Sequence, residues 1–151
     1  MARPTEAQVS HRGDDRFVIR LGPHEVTVDQ PFDNGGTDTA PTPTELFIGS
    51  YAACIAFYAR RFLHRHGLDE AIAVRASWET TNRPHRVSRI GFEISADVPP
   101  ELQGRFISLV HSCTVGNTLR DAPEVSLKMH PLSPTSLPIE VARVDQRGGK
   151  S

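Results

Sequence analysis

The chain has 151 residues, of which 38% are hydrophobic and 23% are charged, and its formal net charge is −1. A chain of this length can bury a core as one domain. The near-neutral charge and the absence of a basic stripe exclude the electrostatic signature of nucleic-acid binding, so we expect no nucleic-acid partner. Residues 1–15 lack the apolar centre of a secretory signal, which favours a cytoplasmic protein.

The N-terminal part of the sequence predicts two strands and a loop. Residues 1–15 form a polar segment, which we expect to be loose. Apolar and polar residues alternate over 16–21 and 25–29, and a Gly-Pro-His turn joins these two predicted strands. Residues 31–42 are rich in turn formers and predict a loop, which leads directly into the next element.

A long helix is predicted from residue 43 to residue 66. Thr42 can cap it, Pro43 suits its first position, and Glu45 completes a capping box with Thr42. Cationic side chains cluster at the other end, where they complement the helix dipole, and Gly67 can adopt the left-handed conformation that ends a helix. Because His64 and His66 are two positions apart, their rings point to different sides, and no metal site is expected there.

The middle of this helix is apolar on every side. No charged residue occurs between Leu46 and Ala59, and a helix of that kind is buried. The apolar run is shorter than the about 20 residues that span a bilayer, so we expect no membrane partner. One helical face carries a cysteine among aromatic side chains, which predicts an apolar pocket around Cys54 lined by Phe47, Tyr51 and Tyr58.

The second half of the sequence predicts two strands and then a second helix. Residues 72–79 and 90–96 each have one apolar face, and 80–86 is expected to be a turn between them. Two prolines at 99–100 open a helix whose apolar positions recur as far as Cys113, which we place on the buried side near the helix end.

The C-terminal part predicts a strand and a tail. Val125, Leu127 and Met129 alternate with polar residues and indicate a final strand. Residues 131–151 predict an extended or disordered tail. We therefore expect a single domain over residues 16–130.

The predicted order of elements is β-β-α-β-β-α-β, which indicates an α+β fold with antiparallel sheets and two long central helices. One small sheet has only one spare face, whereas the first helix needs cover all round. A second copy of the chain would supply that cover, so we predict an intertwined homodimer with its helices between two sheets.

The two cysteines allow two interpretations. Free cysteine is often buried as a small hydrophobic residue, and from the residues alone this interpretation is the more frequent one. Alternatively, Cys54 and Cys113 form a redox pair, in which one thiolate attacks a peroxide and the resulting sulfenic acid condenses with the other thiol. A thiolate requires a nearby cation, and Arg12, Arg16 and Arg20 are candidates.

Two motifs resemble the OsmC/Ohr family, which is known for osmotically induced and organic hydroperoxide resistance proteins. The resemblance covers roughly residues 16–130. The motifs are Pro41-Thr42-Pro43-Thr44-Glu45-Leu46-Phe47 leading to Tyr51-Ala52-Ala53-Cys54, and Ser112-Cys113-Thr114-Val115-Gly116-Asn117-Thr118-Leu119.

The resemblance implies a thiol-dependent peroxidase for alkyl or lipid hydroperoxides that acts in oxidative-stress defence. Cys54 matches the peroxidatic cysteine and Cys113 the resolving cysteine, with sites at the interface of a homodimer. The family needs no metal, flavin or other cofactor, and its disulfide is reduced by an external dithiol, which can be a lipoyl-bearing protein.

Two positions depart from the family pattern. In the peroxidase branches a glutamate that pairs with a catalytic arginine directly follows the helix-opening proline. In this chain Thr44 occupies that position. The acidic residue, Glu45, follows one position later, where it is also the acid of the capping box. Thr114 stands where a proline often follows the second cysteine. These departures leave an alternative open, a non-catalytic dimer that binds a small apolar ligand in its interface pocket.

Overall fold

The structure is a computed structural model that describes residue 3 and residues 5–132. Most of the predicted tail, residues 133–151, lies outside the described residues. The chain divides into two compact units, one containing the described residues up to Leu46 together with 126–132, the other Phe47–Val125. The elements are β1 Gln8–His11, β2 Phe17–Leu21, β3 His24–Val28, α1 Pro43–Arg65, β4 Ile72–Asn82, β5 His85–Ala96, α2 Pro100–His111 and α3 Thr114–Arg120.

The N-terminal unit contains a three-stranded antiparallel sheet in the order β1-β2-β3. Ile19 lies at its centre, opposite Val9 on one side and Val26 on the other. The predicted pair β2 and β3 is confirmed. The expectation of a loose segment is wrong for β1, because four mostly polar residues become a strand by pairing with the free edge of β2.

A buried carboxylate organises the loop after β3. Asp29 is fully buried, and it accepts hydrogen bonds from the Oγ1 atoms of Thr37 and Thr39 at 2.7 and 2.8 Å and from the backbone N–H of Gln30 at 2.8 Å. The Thr39 N–H adds a bond of 3.1 Å. Burial opposes ionisation, but these hydrogen bonds outweigh it and hold the pKa of Asp29 far below its usual value. The loop is therefore folded around one charge.

The capping box at the start of α1 is confirmed. The Glu45 N–H donates to Thr42 Oγ1 at 3.2 Å, and the Thr42 N–H donates to Glu45 Oε2 at 2.7 Å. The predicted stop is also present: Gly67 has a φ of +63°, and the Leu68 N–H donates to the Leu63 carbonyl at 3.0 Å. Both ends of α1 are thus fixed by local sequence.

Within one chain, α1 is covered on one face and exposed on the other. The buried residues are Ile48, Ile55, Ala59, Phe62 and Leu63. Phe47 and Phe57, in contrast, are 36% and 52% exposed. The single chain therefore leaves one face of α1 uncovered, as the sequence argument expected, and the cover by a second copy stays a prediction.

The apolar character of α1 also bears on the membrane prediction. By length and composition alone the whole helix could cross a bilayer, so the expectation of no membrane partner stays a prediction. The core helix of a soluble protein passes the same test, and α1 carries five buried residues within the chain.

The second unit contains the hairpin of β4 and β5. The alternating residues Val74 and Ala76 lie opposite Ile94 and Phe92 and are partly buried. The two strands continue well past the predicted boundaries, and the turn between them shrinks from 80–86 to Arg83–Pro84. The pairing of the two strands shifts register between Glu79 and Thr80, at the start of the segment that the sequence predicted to be a turn.

The helical region after the hairpin differs from the prediction in one respect. α2 ends at His111, and Cys113 lies outside it, as the N-cap of the short helix α3. Cys113 is extended, with φ −63° and ψ 153°, which lets its side chain turn back onto α3. The sequence pattern placed Cys113 on the helix because its burial fits the apolar periodicity of α2, whereas the helix ends two residues earlier.

The predicted final strand is wrong for the described chain. Residues 125–129 belong to no strand, and Val125, Leu127 and Met129 are 79%, 95% and 95% exposed. Among the described residues this segment pairs with no strand. The α+β class with antiparallel sheets is nonetheless confirmed.

Candidate functional site

The two cysteines lie together in the core of the second unit. Cys113 is fully buried, and Cys54 is partly buried against the same apolar cluster, which includes Ile55 and Val110. The two side chains are within hydrogen-bonding reach of each other, and both are free thiols. Elements distant in sequence, α1 and the start of α3, therefore bring the two sulfur atoms into one site.

The Cys113 thiol is held in its protonated form. Burial raises the pKa of Cys113, and the neighbouring Cys54 adds to this effect. The Gly116 N–H, which donates to Cys113 Sγ at 3.4 Å, and the Arg120 charge both act in the opposite direction without cancelling it. Cys113 is thus a thiol at neutral pH.

Tyr51 places a hydroxyl group beside the cysteines. Its ring packs edge-on against Phe92 with 4.6 Å between the ring centroids. Burial raises the pKa of Tyr51, the nearby Cys113 and Cys54 raise it further, and Arg120 opposes them. The hydroxyl is therefore protonated at neutral pH.

The predicted pocket residues lie along one face of α1, and they do not play equal parts. Tyr51 lies three residues before Cys54 and Tyr58 lies four residues after it, and both pack against the core cluster. The Tyr58 hydroxyl forms a 3.0 Å hydrogen bond with Thr114 Oγ1, which ties α1 to the residue after Cys113. Phe47, at 36% exposed, lies further along the helix towards its start.

An arginine that sequence analysis did not select belongs to this site. Arg120 Nη2 donates to the His111 carbonyl at 2.5 Å and to Asn117 Oδ1 at 2.6 Å. These bonds hold the guanidinium near Cys113, where its charge lowers the pKa of that thiol and of Tyr51. The spacing of Cys113, Asn117 and Arg120 at i, i+4 and i+7 is the signal that could have found it.

The arginines and the acid proposed from sequence belong to the N-terminal unit. Glu45 is engaged in the capping box, and Arg20 pairs with Glu25. The Arg16 N–H donates to the Gly13 carbonyl, whereas its side-chain Nε is buried without a hydrogen-bond partner among the described residues. The Arg12 N–H donates to the Arg16 carbonyl. A role for Arg12, Arg16 or Glu45 at the cysteines stays a prediction.

The two histidines near the end of α1 have separate partners. His64 Nδ1 lies 2.6 Å from Glu70 Oε1, and Arg60 Nε lies 2.8 Å from the other oxygen of the same carboxylate, Oε2. The His66 ring stacks on Phe62 with 4.0 Å between centroids. In the described part of the chain, no group of three or more His, Cys, Asp or Glu side chains is arranged to hold a metal ion.

The fold and the site define a class, an α+β protein with two thiols meeting beside the middle of a long apolar helix. The family model for OsmC-like proteins matches residues 36–128. The chain therefore belongs to the OsmC-like family, whose members are typically soluble proteins.

Solved structures share this fold at low sequence identity. A protein from Psychrobacter arcticus 273-4, named for osmotic stress induction and a detoxification response, is 23% identical with a TM-score of 0.69, over 76% of this chain and 88% of that one. The organic hydroperoxide resistance protein OsmC of Legionella pneumophila is 15% identical, with a TM-score of 0.54, over 76% and 89%. The organic hydroperoxide resistance protein OhrB of Bacillus subtilis is 19% identical, with a TM-score of 0.50, over 78% and 92%. No curated protein matches the sequence.

Proposed function

We propose that this protein is a thiol-dependent peroxidase that reduces organic hydroperoxides in oxidative-stress defence. The observation that carries the proposal is the meeting of Cys54 and Cys113 in one apolar site. Family membership and the organic hydroperoxide resistance proteins of the same fold support a stress-related peroxidase role in general.

The reaction has two steps. The Cys54 thiol attacks the peroxide, its sulfur takes one oxygen to become a sulfenic acid, and the alcohol leaves. The Cys113 thiol then displaces that hydroxyl group, which forms the Cys54–Cys113 disulfide and releases water. Cys54 is the more exposed of the two sulfurs, which supports its role as the one that meets the peroxide.

The substrate class follows from the apolar surroundings of Cys54. The face of α1 next to Cys54 carries Tyr51 and Tyr58, and the neighbouring face carries the exposed ring of Phe57. An alkyl or lipid chain buried there would gain about 0.8 kcal/mol per methylene group, a gain that hydrogen peroxide lacks. Sulfur chemistry accounts for both steps without a metal or flavin, and an external dithiol, such as a lipoyl-bearing protein, would reduce the disulfide.

We further propose that the active form is a cytoplasmic homodimer. The exposed side of α1, with Phe47 and Phe57, and the exposed apolar residues of 125–129 are surfaces that a second copy of the chain would cover. Exposed apolar surface of this kind is typical of an interface.

The experiment uses the reduced protein and cumene hydroperoxide. We expect one equivalent of peroxide to remove both free thiols and to produce one intramolecular disulfide. Cys54→Ser should abolish turnover with a dithiol, whereas Cys113→Ser should stop at the Cys54 sulfenic acid, which dimedone traps. Two thiols that persist in the wild type, or turnover by Cys54→Ser, would contradict the proposal.

A second candidate is a non-catalytic dimer that binds a small apolar ligand. A cavity of about 250 Å³ between β5 and α2 favours it, lined mostly by apolar residues that include Phe92, Ile94 and Phe106. The raised pKa of Cys113 would equally suit an inert thiol. A ligand retained in native mass spectrometry, together with thiols that peroxide leaves intact, would favour this candidate.

A further inference from the structure

The hydroxyl group of Tyr51 and the sulfur of Cys113 approach the same glycine. A methyl carbon placed on Gly116 would lie 2.8 Å from Tyr51 Oη and 3.3 Å from Cys113 Sγ. Distances below about 3.0 Å are essentially never seen for a real Cβ atom, so any other residue at this position would displace the hydroxyl. The absence of a side chain at Gly116 therefore lets Tyr51 reach the neighbourhood of Cys113.

Tyr51 also stands beside the other sulfur. It precedes Cys54 by one helical turn on the same face of α1, and both cysteines contribute to the raised pKa of Tyr51. The charged group that faces it from α3 is Arg120, which Asn117 and the His111 carbonyl hold in place. The Tyr51 hydroxyl and the Cys113 sulfur thus lie against the same position of α3, and Cys54 is one helical turn from Tyr51.

We propose that Tyr51 is a catalytic residue of disulfide closure, in which its hydroxyl relays the Cys113 proton to the hydroxyl group leaving Cys54. This inference rests on the proposed peroxidase function. The Cys113 sulfur supplies the electron pair of the new S–S bond and is oxidised, while the S–O bond of the Cys54 sulfenic acid breaks and that sulfur is reduced. Tyr51 gives its proton to the departing hydroxide, which forms water, and takes the proton of Cys113. The organic hydroperoxide that formed the sulfenic acid is the oxidant.

The relay explains how Cys113 can act as the resolving cysteine although it is buried and protonated. A thiol that stays protonated at neutral pH is a weak nucleophile, because the thiolate is the reactive form. A positioned group that accepts the proton as the bond forms removes this difficulty and contributes typically about 10²–10⁴-fold in rate.

Tyr51→Phe tests the relay by removing only the hydroxyl. The reduced protein is mixed with one equivalent of cumene hydroperoxide, and intact mass spectrometry with dimedone quenching follows the conversion of sulfenic acid to disulfide across a pH series. We expect closure at neutral pH to slow by at least about tenfold. We also expect a steeper rise of the closure rate with pH than in the wild type, because unassisted closure needs the Cys113 thiolate.

Two further variants make the result specific. Tyr58→Phe is the matched control, because it removes a hydroxyl from the same helix face that bonds to Thr114 instead. Closure in Tyr58→Phe should be several times faster than in Tyr51→Phe, and equal rates would overturn the proposal. Gly116→Ala keeps the hydroxyl but displaces it, so closure should slow here as well.

The outcomes separate the two proposals. If the wild type forms no sulfenic acid, the peroxidase function fails and the relay fails with it. If the wild type forms sulfenic acid and Tyr51→Phe closes the disulfide at the wild-type rate, the peroxidase function stands and the role of Tyr51 is wrong.

Discussion

At the scale of single residues, two positions show how burial and hydrogen bonding set opposite protonation states. Asp29 is fully buried yet ionised, because Thr37, Thr39 and Gln30 direct donors at its carboxylate. Cys113 is also fully buried, and its pKa moves the other way, upward from 9.0, because the weak Gly116 N–H donor and the Arg120 charge do not compensate for burial. The hydrogen-bond donors at each group therefore decide whether burial raises or fails to raise its pKa.

Asp29→Asn should lower the stability of the chain by several degrees in melting temperature, since an amide cannot accept all of these bonds. A depressed carboxyl pKa contributes stability that is present above the unfolded value, 3.8, and is lost as pH falls towards the folded value. The difference between wild type and variant should therefore be constant near neutrality and shrink below about pH 4. Thermal melts across pH 2–7 measure it, and a difference that persists unchanged into acid would contradict the ionised form of Asp29.

Arg120→Gln should raise the pKa of the Cys113 thiol further, because the variant loses a positive charge that acts to lower it. In a Cys54→Ser background, the rate of alkylation of Cys113 should then reach its half-maximum at a higher pH. Arg105→Gln removes an exposed arginine on α2 and serves as the control. Identical pH profiles for the two variants would show that Arg120 does not act on Cys113.

At the scale of elements, the ends of the helices are decided locally. Thr42 and Glu45 satisfy each other's backbone donors at the start of α1, and Gly67 ends it with a positive φ. These features were predictable from sequence because each depends on residues within one or two turns. The end of α2 was not predictable in this way. Apolar periodicity indicates which residues are buried, and Cys113 is buried although it lies beyond the last residue of α2.

Two glycine substitutions should have opposite effects on stability. Gly67→Ala forces a side chain into the left-handed region and should destabilise the fold by about 1 kcal/mol. Gly104→Ala, in the interior of α2 with open space around it, should stabilise by about 0.5–1 kcal/mol. Urea unfolding of both variants measures the difference, and a destabilised Gly104→Ala would show that α2 is covered by another surface there.

At the scale of the whole molecule, one face of α1 is left uncovered by the single chain. The sequence predicted a helix buried on all sides, and the single chain covers one face only, leaving Ala53 and Phe57 exposed. The apolar sequence of α1 thus predicts burial of a larger part of the helix surface than one chain provides. The proposed second copy of the chain would supply this cover, and its presence can be measured independently of catalysis.

Ala53→Asp should convert a dimer into a folded monomer. Because Ala53 is exposed in the single chain, a carboxylate there is solvated, whereas in a covered interface an unpaired buried charge costs several kcal/mol. Light scattering after size exclusion measures the mass and circular dichroism the fold. Ala71→Asp, at an exposed position before β4, is the control that should keep the wild-type mass. An Ala53→Asp dimer as stable as the wild type would place the interface elsewhere.

The sequence by itself determined the α+β class, the bounds of α1 and the strand pairs β2–β3 and β4–β5, since all of these follow from periodicity and capping. The assignment of Cys54 and Cys113 as a redox pair came from the resemblance to the OsmC/Ohr family. Only the tertiary structure decided which groups surround the sulfurs. Tyr51 reaches the neighbourhood of Cys113 only because α1 packs beside the start of α3, and a contact between elements far apart in the chain leaves no local pattern, whereas Gly116 and Arg120 follow Cys113 within α3 itself. The strand β1 likewise depends on pairing with β2, since its own four residues have too little apolar character to predict it.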